Sequence, residues 1–123
     1  MPCYNEQEVL PITVPLFANV LTDLCQKGKI AKDSKLMLVD DGSNDSTWSL
    51  IKEYSQKYPC LYGIRQSHNR GHQNALKAGL LEARGKFDMA VTLDADGQDD
   101  INAVDAMVKA YLDGCEVVYG VRS

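Results

Sequence analysis

Two acid clusters stand at the ends of short apolar runs. Asp40-Asp41 follows Leu36-Met37-Leu38-Val39, and Asp94-Ala95-Asp96 follows Met89-Ala90-Val91-Thr92-Leu93. Carboxylates delivered by a buried run are costly unless something binds them, so these acids read as metal or base ligands. An apolar run ending in acids and a turn fits a buried parallel strand. Such a strand presents its last residues at the carboxyl edge of a sheet, where open α/β folds bind ligands. Plainer readings stay open for the same residues. Asp41-Gly42-Ser43-Asn44-Asp45-Ser46 is also good turn and helix-cap sequence, and Asp94 and Asp96 could be surface acids on a loop. His68 and His72, the only histidines, lack clustered Cys or Glu partners and read as loop and cap residues. Asp99 and Asp100 read as a solvated helix start that favours the helix dipole.

The elements that must position these residues alternate between helical and extended patterns, the signature of a βαβ series. Leu10, Val14, Phe17, Val20, Leu21 and Leu24 recur near helical spacing, which predicts a helix from about Pro11 or Thr13 to Gln26, disturbed by Pro15 and stopped by Gly28. A strand ends at Val39. A second helix from Ser46 to about Tyr58 carries Trp48, Ile51, Tyr54 and Tyr58 on one face and stops at Pro59; these aromatics read as packing. A strand from Leu61 to Arg65 leads through Asn69-Arg70-Gly71 to a helix from His72 to Ala83. Met89 to Leu93 reads as a strand, Ile101 to Leu112 as a helix, and Cys115 to Tyr119 as a last strand. No strand precedes Met1-Pro2-Cys3-Tyr4-Asn5-Glu6, and Gly120 to Ser123 stops where a loop should begin, so both ends read as cut from a longer protein.

At 123 residues, 45% hydrophobic and 24% charged, the chain is ordinary globular material with one core, able to bury roughly 65% of its unfolded surface. A net charge of −4 without any Lys/Arg run argues against nucleic acid or an anionic membrane surface as the main partner. The four cysteines have no C-x-x-C spacing and read as reduced, mostly buried thiols. No apolar stretch approaches the roughly 18–20 residues of a membrane span, and no signal peptide opens the chain, so the polypeptide itself reads as soluble.

Five motifs in order carry a resemblance: Pro2-Cys3-Tyr4-Asn5-Glu6, Val39-Asp40-Asp41-Gly42-Ser43-Asn44-Asp45-Ser46-Thr47, Asn69-Arg70-Gly71-His72-Gln73-Asn74-Ala75-Leu76, Leu93-Asp94-Ala95-Asp96-Gly97-Gln98 and Val118-Tyr119-Gly120-Val121-Arg122. Over nearly its whole length the chain resembles the family 2 inverting glycosyltransferases. Its nearest likeness is to the polyprenyl-phosphate sugar transferases, the dolichyl-phosphate mannose synthase and bactoprenol glucosyltransferase group. It departs from their commonest pattern at Gly97, where Leu is usual, and at Asp99-Asp100-Ile101-Asn102, which replaces a Pro-rich run.

The resemblance implies an α/β, Rossmann-like nucleotide-diphospho-sugar transferase fold, mostly parallel sheet flanked by helices, with residues 1–123 as its nucleotide-sugar-binding part. A UDP- or GDP-sugar is the implied donor and a lipid-linked phosphate the implied acceptor. Asp94, Asp96 and Gln98 alternate along an extended segment with oxygen ligands suited to Mg²⁺ or Mn²⁺ on the diphosphate. Asp41 matches the residue that accepts from a ring N–H of the base, with Asp40 supporting the turn. Tyr4 and Glu6 match residues lining base and ribose, Pro2 fixes the entry to their loop, and Gly71 with the following helix N-terminus could hold a phosphate or sugar oxygen. Arg122 matches an arginine near the phosphates. The catalytic base, where one is used, would lie beyond Ser123, as would the acceptor region and membrane helices, placing the full protein at the cytoplasmic face of a membrane. With the first strand missing, exposed sheet edges would invite a homodimer or strand exchange. Two other classes compete. A phospho-accepting receiver domain shares the length and the strand-end acids but needs a Thr or Ser and a Lys on two later strands. A nucleotide-binding module without catalysis shares every motif.

Overall fold

The computed structural model describes residues 1–121. In chain order the elements are β1 (Pro2–Cys3), α1 (Leu10–Gln26), β2 (Leu36–Asp40), α2 (Thr47–Lys57), β3 (Leu61–Arg65), α3 (His72–Ala83) and α4 (Ala103–Leu112). The strands form one parallel sheet in the order β1-β2-β3, with helices supplying the crossovers. This is the expected α/β class with a parallel sheet flanked by helices. Pro15 lies inside α1 without ending it.

Alternation along β2 sends side chains to both faces, as a parallel strand covered on both sides requires. Leu38 packs on one face with Leu10, Val14, Ile51, Tyr54 and Leu61 in a continuous core cluster, against which Trp48 is also packed. Each fully buried aliphatic here stabilises the fold by about 1.5–3 kcal/mol. On β3 the helix α2 comes so close that a Cβ at Gly63 would drive into Ile51 and Trp48.

Two expected strands are absent from the ladders. Met89–Leu93 runs without strand pairing. The neighbour it would need is β1, which offers only Pro2 and Cys3 and pairs with Val39 and Asp40 on its other side. An apolar cavity of about 210 Å³, lined among others by Met1, Phe17, Val39, Leu76 and Val91, separates the segment from full packing. Cys115–Tyr119 also lies outside any strand, with Val117 68% and Tyr119 84% exposed. A third difference is favourable: the Tyr4–Glu6 loop does follow a strand end, because β1 occupies the expected place. Of the cysteines only Cys3 is buried; Cys25 and Cys60 are half-buried and Cys115 exposed. Burial pushes the Cys3 thiol up to about 12, which makes it inert at neutral pH.

Candidate functional site

The loop after β1 and the loop after β2 are sewn together. Asn5 N–H donates to Ser43 Oγ at 3.0 Å, Glu6 N–H to Thr47 Oγ1 at 2.8 Å, Asn44 N–H to Asn5 Oδ1 at 3.0 Å and Ser46 N–H to Gln7 Oε1 at 3.0 Å. Asn5 sits at φ +51°, a conformation that Asn tolerates better than most residues. Asp45 closes the seam by accepting from Thr47 N–H and Thr47 Oγ1–H, and more distantly from Gln7 N–H. Desolvation raises its carboxyl, but these hydrogen bonds together outweigh it and hold the group below the usual carboxylate value. The polar run after Gly42 thus serves both readings of its sequence. It starts α2, and it fixes the backbone that carries Tyr4 and Glu6.

Asp40 and Asp41 are both buried and do different work. Asp40 lies beneath the turn, where its Oδ2 is 3.1 Å from Arg65 Nε and its Oδ1 accepts Ser43 N–H at 3.3 Å. Asp41 anchors by its own N–H to Cys3 O at 2.9 Å and turns its carboxylate toward the loop before α3. There Oδ1 accepts Arg70 N–H at 2.8 Å and Oδ2 accepts Gly71 N–H at 3.0 Å. The Gly71 amide is therefore already shared between Asp41 and Asn69 Oδ1. The amides of His72, Gln73 and Asn74 in the first turn of α3, which have no carbonyl within the helix to bond, become the better anion donors. Gly42, at φ +67°, has no room for a side chain: a Cβ would stand 2.6 Å from Asn69 N and 2.7 Å from the His68 carbonyl carbon.

The second acid pair is held by α1 rather than by a strand. The Thr13 hydroxyl, buried on α1, has two acceptors within reach, Val9 O of its own helix at 3.3 Å and Ala95 O at 3.2 Å, and the second ties down the residue between Asp94 and Asp96. Asp99 is not a solvated helix start: its Oδ2 accepts Asp94 N–H at 2.8 Å and folds the loop back on itself. Asp96 Oδ1 accepts Gln98 N–H at 3.0 Å. His72 opens α3 with Nε2 3.5 Å from Asp94 Oδ1, so it faces this acid instead of being a loop or cap residue only.

Pro2, Cys3, Tyr4, Glu6, Asp41, Asn69, Gly71, His72, Asp94, Ala95 and Asp96 line one cleft of about 320 Å³, within the range of small-molecule sites, about 300–1,000 Å³. Seven of the residues singled out from sequence meet there: Pro2, Tyr4, Glu6, Asp41, Gly71, Asp94 and Asp96. Asp40 stands behind the wall, Gln98 is exposed and not part of the lining, and Arg122 lies outside the described residues. Asn69 and His72 as lining residues, and Thr13 and Arg65 as supports, escaped the sequence reading. Asn69 and His72 belong to the Asn69-Arg70-Gly71-His72 motif, whereas Thr13 and Arg65 carry no local signal.

Desolvation raises the Glu6 carboxyl above its usual value, and Asp96, Asp45 and Asp94 push it the same way. Negative charge thus accumulates on one side of the cleft. Among the described residues no three His, Cys, Asp or Glu side chains form a metal cage. Asp94 and Asp96 line the same cleft, and two carboxylates without a full cage suit a magnesium-type site, which is completed by phosphate and water oxygens rather than by protein alone.

The comparisons with known proteins agree with this geometry. The model of glycosyl transferase family 2 matches residues 1–123. An uncharacterized glycosyltransferase, YkoT, of Bacillus subtilis is 44% identical over 99% of this chain and 36% of its own length. A dolichyl-phosphate beta-glucosyltransferase of Dictyostelium discoideum is 37% identical over 100% of the chain and 38% of its own length. An undecaprenyl-phosphate 4-deoxy-4-formamido-L-arabinose transferase of Pectobacterium atrosepticum is 34% identical over 100% and 36% respectively. The chain spans little more than a third of these relatives. With a matching family model over its full length and the acid-lined cleft at its sheet edge, the chain belongs to glycosyl transferase family 2.

Proposed function

We propose that this chain is the donor-binding part of an inverting glycosyltransferase that moves a sugar from a UDP- or GDP-sugar to a polyprenyl phosphate at the cytoplasmic face of a membrane. The observation that supports it most is the meeting of Asp41, from the end of β2, with Asp94 and Asp96 across one cleft. Relatives named for dolichyl and undecaprenyl phosphates support the acceptor class.

In this reading Asp41 accepts from a ring N–H of the base. Its two oxygens have about four acceptor positions, so the Arg70 and Gly71 amides leave capacity for one more donor. Tyr4 and Glu6 flank the base and ribose, and Pro2 holds the entry to their loop. Asp94 and Asp96, which line the cleft, and Gln98, two residues further on, are the residues that would hold Mg²⁺ or Mn²⁺. The bound ion would supply positive charge to the leaving diphosphate. His72 and the first-turn amides of α3 add donors on the same side.

The acceptor phosphate needs little activation. With a second pKa of about 6, a phosphomonoester is largely ionised at neutral pH, so an oxygen can attack the anomeric carbon in line as its bond to the diphosphate breaks. Configuration inverts, no covalent enzyme intermediate forms, and no strong general base is required. Membership of a glycosyltransferase family displaces the receiver-domain reading. The described residues contain no helix long and apolar enough to cross a membrane, and the acceptor region is proposed to lie beyond Ser123.

The test is product analysis. Given UDP- and GDP-sugars, Mg²⁺ and a short polyprenyl phosphate, a chain extended to the length of its relatives should yield a glycosyl phospholipid of inverted configuration, while residues 1–123 alone should bind donor and transfer poorly. Robust transfer by the 123 residues would overturn the placing of the acceptor region; retention of configuration would overturn the mechanism.

A further inference from the structure

We propose that Arg65 is the positioning residue of the donor cleft, setting both the Asp41 turn and the Tyr4–Glu6 loop through Ser43. The proposal rests on the nucleotide reading for its ligand but on geometry for its mechanism. Arg65 ends β3 directly opposite Asp40 in the ladder. Its Nε lies 3.1 Å from Asp40 Oδ2, its Nη2 donates to Ser43 O at 3.5 Å, and its guanidinium carbon lies 5.8 Å from the centre of the Trp48 ring. Asp40, fully buried, in turn accepts Ser43 N–H at 3.3 Å through Oδ1. The pair therefore grips both the N–H and the C=O of Ser43.

Ser43 is the joint between the two halves of the cleft. Its backbone closes the turn that carries Asp41, and its hydroxyl accepts Asn5 N–H at 3.0 Å, which places the loop bearing Tyr4 and Glu6. A lysine could neutralise Asp40, but its single nitrogen cannot stand against Asp40 Oδ2, which has no other partner, and at the same time donate to Ser43 O as Arg65 Nη2 does. Loss of the cation altogether leaves Asp40 buried and uncompensated, so stability and positioning must be separated in the experiment.

Arg65→Lys, Arg65→Gln and the double variant Arg65→Gln/Asp40→Asn are compared with the unaltered chain by thermal unfolding, by titration of UDP, GDP and inorganic pyrophosphate with Mn²⁺, and by amide hydrogen exchange. Arg65→Lys should keep its melting temperature, bind the preferred nucleotide at least tenfold more weakly, bind pyrophosphate within twofold of the unaltered chain, and exchange the Ser43 amide at least tenfold faster. The double variant should recover the melting temperature that Arg65→Gln loses without recovering nucleotide affinity. Equal losses for nucleotide and pyrophosphate, or full nucleotide affinity in Arg65→Lys, would overturn the proposal. If the unaltered chain binds neither nucleotide, the donor reading fails. The exchange measurement then decides the positioning role alone: faster Ser43 exchange in Arg65→Lys supports it, and unchanged exchange overturns it.

Discussion

Gly42, next to Asp41 in the turn after β2, carries a tight steric demand, because its positive φ and its contact with the His68–Asn69 backbone both exclude a side chain. Backbone strain alone should make Gly42→Ala cost about 1–3 kcal/mol, with further loss as the Asn69–Gly71 loop is pushed from Asp41; an unchanged urea midpoint would contradict this. Glu6 is predicted to behave in the opposite way. Its carboxyl is raised by burial and by Asp96, Asp45 and Asp94, so ionised Glu6 costs stability in full above its raised folded value, and the cost vanishes as pH falls below its unfolded value of about 4.3. Glu6→Gln should therefore raise the melting temperature at pH 7 and leave it nearly unchanged at pH 4, while weakening nucleotide binding. Equal effects at both pH values would contradict the charge argument. Residue identity made the acids legible, since few structural roles require Asp at the end of an apolar run. It could not show that Asp41 already holds two backbone amides or that Asp99 bonds Asp94, because those partners depend on how the loops close.

At the scale of elements, periodicity and punctuation placed α1, α2 and α3 and the strands β2 and β3 near their observed bounds. Pro59 and Gly85 mark real ends, and the aromatics of α2 do pack inward. The Met89–Leu93 run illustrates why composition is not sufficient for a strand. Its residues have the right character, yet a strand exists only with a ladder partner, and β1 is two residues long. What holds the Asp94–Asp96 loop is instead a helix, through Thr13 Oγ1 and Ala95 O. Thr13→Val removes that bond and leaves a buried carbonyl unpaired, a loss of about 1–3 kcal/mol. It should also weaken divalent-cation affinity without touching either acid. Unaltered stability and Mn²⁺ affinity in Thr13→Val would show that the loop is held in some other way.

At the scale of the molecule, order is concentrated where sequence motifs and sheet coincide. Leu38, Val39 and Asp40 are buried at the centre of the three strands, whereas Val117, Tyr119 and Val121 are among the most exposed large apolar residues. Native-state hydrogen exchange should accordingly find the slowest amides in β2 and rapid exchange from Cys115 to Val121; equal protection of these two segments would contradict this division. The polar cleft between β1, β2 and α3 is proposed to bind a nucleoside diphosphate with a divalent cation. Its most direct test is calorimetric titration of UDP and of GDP, with and without Mn²⁺, into this chain and into Asp96→Asn. Binding of one nucleotide should depend on Mn²⁺ and weaken at least tenfold with the substitution. Binding of neither nucleotide, or binding indifferent to Mn²⁺ and to Asp96, would contradict it.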